Sequence, residues 1–100
     1  MTASIPTPTQ EDVDRIAREL APDVVRIRFR TGYDWIDGPA IYFRVILSDD
    51  ASRRERLGKV GRIVRDRLSD SFRLWESERI PYFRFRSQSE QASIREASWE

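Results

Sequence analysis

Apolar residues are densest between Pro39 and Leu47, where PAIYFRVIL contains one charged residue, Arg44. Its β-branched and aromatic content favours an extended chain. Alternation sets Ile41, Phe43, Val45 and Leu47 on one side and Ala40, Tyr42, Arg44 and Ile46 on the other. So apolar a run predicts a strand in the middle of a sheet, with neighbours on both edges.

The rest of the pattern wraps this strand. Thr9 and Asp12 have the spacing of a capping box, and Val13, Ile16, Ala17 and Leu20 follow at helical intervals, which predicts a first helix ended by Pro22. From Val24 to Arg30 the chain alternates as a strand, with Val25, Ile27 and Phe29 opposite Arg26, Arg28 and Arg30. The connection from Thr31 to Gly38 is rich in turn formers but carries Tyr33, Trp35 and Ile36. After Leu47, Ser52 with Glu55 offers a capping box, and Asp49 or Asp50 an alternative cap. The helix that follows runs to about Ser71 on a stripe of Leu57, Val60, Val64 and Leu68, with Ile63 beside it and Gly61 allowing close approach to the sheet. Tyr82 to Ser87 alternates as a third strand with Phe83 and Phe85 inward, and Ser87 with Glu90 opens a short helix before Trp99.

The element order predicts an α+β fold. One three-stranded sheet, mostly antiparallel or mixed, carries the two main helices on one face, in the order αββαβ plus a short C-terminal helix. Residues 1–8, with Pro6 and Pro8, read as a flexible arm and residues 9–100 as one domain. A content of 39% hydrophobic and 35% charged residues describes a folded chain with a densely ionic surface. No stretch resembles a membrane span or a secretion signal, so the expected location is the cytoplasm.

Charge changes the picture more than size does. Histidine and cysteine are both absent, which excludes the usual zinc ligand sets, cysteine nucleophiles and the commonest general base. No cofactor or metal is expected. All but one of the 18 basic residues are arginine. Six of them, Arg26, Arg28, Arg30, Arg44, Arg84 and Arg86, fall on the strand positions opposite the core, together with Tyr42 and Tyr82. A net charge of +1 therefore hides a sheet face of +6 within a remainder of −5. Like charges across a sheet repel, so this face needs anionic company. That company is either the chain's own carboxylates, from loops and the C-terminal segment, or a partner. The favoured partner is an acidic protein surface, or a second copy of this chain, engaged by Arg26, Arg28, Arg44, Arg84 and Arg86 with Tyr42 and Tyr82. Trp35 and Trp99 serve as apolar anchors. Single-stranded RNA stacked on the tyrosines is the alternative, and the small net charge weighs against it.

Two stretches resemble known families. Leu57 to Val64, LGKVGRIV, resembles the I-G-x-x-G-x-x-I signature of KH domains, and the element order is similar to a type II KH domain or ribosome-binding factor A. That resemblance implies an RNA-binding loop with Gly58 and Gly61 as its glycines, Lys59 as the phosphate contact and Arg62 beside it. The order helix, strand, Gly-containing connection, strand, helix, strand is also similar to the minimal nucleotidyltransferase core, and Ser89 and Glu90 sit where that family has a similar turn. The family's Gly-Ser corresponds at best to Thr31 and Gly32, its paired aspartates fall near Pro39 and Ile41, and its third carboxylate near Tyr82 or Phe83. This resemblance implies a catalytically empty copy, a class whose members partner helical HEPN toxins, often as antitoxins. A magnesium-dependent enzyme would instead have to use Asp34 with Asp37 or Asp49 with Asp50, which are also ordinary turn and helix-start residues. The sequence thus points to a small, non-catalytic, antitoxin-like interaction module, with a KH-like RNA binder or a nucleotidyltransferase-like enzyme as alternatives.

Overall fold

The computed structural model describes residues 7–100, so most of the expected N-terminal arm lies outside the described residues. Helix α1 (Gln10–Glu19) opens on the expected capping box. The Thr9 hydroxyl accepts from the Asp12 amide at 3.1 Å, and the Asp12 carboxylate accepts from the Thr9 amide at 3.0 Å. Val13, Ile16 and Ala17 are its buried stripe.

Strand β1 (Val24–Tyr33) and strand β2 (Pro39–Leu47) form an antiparallel hairpin, with Phe29 opposite Phe43 and Arg28 opposite Arg44. β1 is three residues longer than its alternation predicts, and a bulge between Val24 and Arg26 corrects the reading of its first residues. Val24 is buried, while Val25, placed with the core by strict alternation, is 38% exposed. The extra residue lets Val24 and Ile27 both reach the core with Arg26 still on the opposite face.

Helix α2 (Arg54–Phe72) follows a turn rather than the expected Ser52–Glu55 box. The Ser52 hydroxyl donates to the Ser48 carbonyl at 2.8 Å, and the Ser48 hydroxyl accepts from the Ala51 amide, so these serines stabilise the turn. Asp50 pairs with Arg53 and Arg56, and Arg56 also reaches Asp23 before β1. The buried stripe is Val60, Gly61, Val64 and Leu68; Leu57, in the first turn, and Ile63, on the flank, are exposed. The glycine is not needed for close approach, since a Cβ at Gly61 would meet Phe85 at an ordinary 3.8 Å. Strand β3 (Ile80–Ser87) begins two residues earlier than expected, and helix α3 (Gln88–Ile94) opens on the expected Ser87–Glu90 box.

The sheet order is β1-β2-β3, with β2 central as its apolar run predicted and β3 parallel to it across the α2 crossover. The sheet is therefore mixed. Residues from α1 and α2 share one core with Ile27, Ile41, Phe43, Val45 and Leu47, so both main helices lie on one face. Phe43 stacks on Phe83 at 5.3 Å and leans on Phe29 at 6.3 Å. The fold is the α+β arrangement that the element order predicts, and no helix among the described residues is long and apolar enough to cross a membrane.

Candidate arginine-face interface

Strand register turns the face opposite the helices into a grid. Arg26, Ile46 and Arg86 form one row, Arg28, Arg44 and Arg84 the next, and Arg30, Tyr42 and Tyr82 a third. All six arginines expected on one face are there. Their surroundings divide them into two groups.

The first row is covered by the segment after α3. Trp99, in a short turn of 3-10 helix at Ala97–Trp99, is only 2% exposed and lies 4.1 Å below the Arg86 guanidinium. Its indole Nε1 donates to Glu96 Oε2 at 2.8 Å, and the same carboxylate oxygen lies 3.8 Å from Arg86. Glu100 pairs with Arg26 at 3.1 Å, while its backbone oxygen accepts from Arg28 Nε at 2.6 Å. Arg28 also lies 3.5 Å from Asp14 of α1. Gln91 is buried beneath this segment, accepting from Arg86 at 2.9 Å and donating to the Glu96 carbonyl and to Glu100 at 2.8 Å each. Trp99 is thus held against the chain's own sheet and is not a free anchor, because the arginines beside it supply a cation–π contact and two ion pairs. The C-terminal carboxylates were foreseeable as neutralising groups; the role of Gln91 carried no sequence signal.

Arg30, Arg44 and Arg84 have no carboxylate within ion-pair range among the described residues. Arg44 and Arg84 are direct cross-strand neighbours. Partial burial lowers the pKa of Arg44 from its ordinary value, and the nearby charges of Arg30 and Arg84 lower it further, with Glu96 acting in the opposite sense.

The tyrosines are committed elsewhere. Arg30 lies 4.5 Å over the Tyr42 ring, and Tyr42 stacks on Tyr82 at 5.2 Å, so across three strands the order is guanidinium, ring, ring. The Tyr42 hydroxyl donates to the Tyr33 carbonyl at 2.8 Å and the Tyr82 hydroxyl to Asp34 Oδ2 at 3.0 Å. Asp34, almost fully buried, also accepts from the amides of Gly38 at 2.8 Å and Ile36 at 3.1 Å. The Gly38 amide bond holds its carboxyl below the usual carboxylate range, aided by Ile36 and Tyr82, while the Tyr82 hydroxyl is raised, chiefly by its bond to Asp34. These contacts fix the hairpin turn, from which Trp35 projects 90% exposed, with Tyr33 and Ile36 exposed beside it.

The remaining candidates do not converge on one place. Gly58, Lys59, Gly61 and Arg62 lie within the unbroken helix α2 rather than in a loop, with Gly58, Lys59 and Arg62 exposed and Gly61 buried toward Phe85. Asp37 is exposed in a left-handed conformation, Asp49 accepts from the Ser89 amide and hydroxyl, and Asp50 is ion-paired. Among the described residues no three acidic side chains gather as a metal site. The face shared by three strands brings together, among the described residues, the largest group of the side chains singled out in the sequence. Comparison of the chain with protein families, with characterised proteins and with solved structures finds no match.

Proposed function

We propose that this domain is a non-catalytic interaction module that holds an acidic segment of a protein partner on the open part of its arginine face, with Trp35 at the rim as an apolar anchor. The observation that carries this reading is the Arg44–Arg84 pair: adjacent on the two strands, Arg44 half-buried and Arg84 exposed, and without a carboxylate partner among the described residues. Unneutralised neighbouring arginines cost the fold energy that an incoming carboxylate relieves, and two guanidinium groups side by side suit its two oxygens. A protein is favoured over RNA because the tyrosine rings stack on each other and on Arg30 instead of lying open to bases.

The test is affinity capture by the wild-type domain and by the Arg44→Glu/Arg84→Glu variant, with and without nuclease, alongside circular dichroism of both. The expected result is a stoichiometric protein that survives nuclease, is retained by the wild type and is lost with the folded variant. Equal retention by the variant refutes the assignment. Retention abolished by nuclease transfers the face to RNA, and a doubled mass in sedimentation that the variant loses makes the acidic partner a second copy.

A further inference from the structure

The segment that already covers part of the arginine face shows what kind of ligand this face accepts. Between Arg95 and Glu100 only Trp99 is buried, and the other residues are exposed on the surface of the sheet. The segment is held by a ring beneath a guanidinium and by carboxylates on Arg26 and Arg86, on the two outer strands. It leaves α3 through Arg95, whose φ of 57° is a left-handed conformation disfavoured for a residue with a side chain. It therefore has the features of a bound peptide that happens to be covalently attached: a single buried anchor, flanking ion pairs and a bent connection. Between Arg26 and Arg86 in the first row of the face stands Ile46, 2% exposed and the one apolar side chain of the row.

We infer that residues 96–100 are an internal ligand of the arginine face, and that the partner segment carries an aromatic side chain flanked by carboxylates and takes the same place by displacing them. This rests on the reading that the face binds acidic protein segments, and it specifies the class of segment. Displacement exposes Arg26, Arg86 and Ile46 to the partner and joins them to Arg44 and Arg84 in one continuous site. A purely acidic segment without a ring satisfies the open row but not the apolar slot, so it leaves Trp99 in place.

The probe is a fluorescein-labelled peptide with the sequence of residues 94–100, titrated by anisotropy against the full chain. Wild type, whose slot is filled, is compared with Trp99→Ala, whose slot is vacated. The peptide binds the variant at least tenfold tighter than the wild type, and a peptide with alanine in place of its tryptophan loses that advantage. Glu96→Gln/Glu100→Gln, which keeps the ring and removes the flanking charges, gives an intermediate gain and serves if Trp99→Ala does not fold. Equal affinity for wild type and the vacated chains, or no binding to either, overturns the inference. Labelled hepta-glutamate separates this failure from failure of the underlying reading: binding that disappears in Arg44→Glu/Arg84→Glu leaves the acidic-face assignment standing, and no binding of hepta-glutamate removes both.

Discussion

Replacing Arg44 with methionine should make the domain more stable. Arg44 and Arg84 are register partners on neighbouring strands about 4.8 Å apart, so a separation of about 6 Å between their charges serves as the working value. Two unit charges at that distance repel by about 0.7 kcal/mol in water and about 2.8 kcal/mol at the dielectric of a protein surface. Arg30 adds a second repulsion and partial burial a desolvation cost of the same sign, offset in part by Glu96. Methionine keeps most of the aliphatic stem's packing and removes the charge, so the net gain is about 1–2 kcal/mol, within the range of single stabilising changes. Urea denaturation measures it directly, as a midpoint raised by about 0.5–1 M. Salt provides the decisive control, because at 1 M the screening length falls to about 3 Å and the gain should shrink to less than half. In an Arg84→Met background the same change should gain about 0.5–1 kcal/mol less, since one of the repelling neighbours is already gone. A lowered midpoint, or a gain indifferent to salt, refutes the claim that the Arg44–Arg84 pair is unneutralised and makes Arg44 a structural residue.

Other expectations follow from the same geometry. Gly58→Ala, where an added Cβ meets nothing within 4 Å, should stabilise by about 1 kcal/mol, and Gly61→Ala by a similar or smaller amount, both read as a rise in melting temperature. Val60→Asp should cost about 3–5 kcal/mol by burying an unpaired charge in the core, whereas Lys59→Asp at the exposed neighbour should leave the urea midpoint nearly unchanged. The native pKa of Asp34 lies below its ordinary 3.8, so its contribution to stability is complete above that value and is lost as pH falls through the lower native one. Asp34→Asn should therefore flatten the stability profile below about pH 4, measured by urea melts from pH 2 to 6, without altering its slope near neutrality.

The parts of this molecule legible in its sequence are those set by near neighbours in the chain. Both outer capping boxes form, because the three-residue spacing of Thr9 with Asp12 and of Ser87 with Glu90 contains the whole interaction. The apolar run of β2 announced its central place for the same reason. The Ser52 box fails because Ser52 has a competing acceptor in the Ser48 carbonyl, one turn back. The bulge at Val25 depends on which of two adjacent valines meets the core, and only the packed helices decide that. The choice of parallel pairing for β3 was likewise left open by a pattern that alternates identically in either direction. At the face, alternation collected the arginines correctly but gave no means of telling Arg86, stacked on Trp99, from Arg84, two residues away and without a carboxylate partner.

The parallel pairing of β3 also determines when this face comes into being. Each partner of β2 in β3 lies forty residues further along the chain, from Ala40 with Ile80 to Leu47 with Ser87, whereas β1 and β2 close through a short turn. Closing the longer loop costs more chain entropy, so the expected order is hairpin first and β3 docking after it. Arg84, Arg86 and the Trp99 segment all arrive with that last strand. A ligand that bridges β2 and β3 thus recognises only the completed fold and shifts the docking equilibrium toward it, so that binding acts as a clamp on the least local part of the structure.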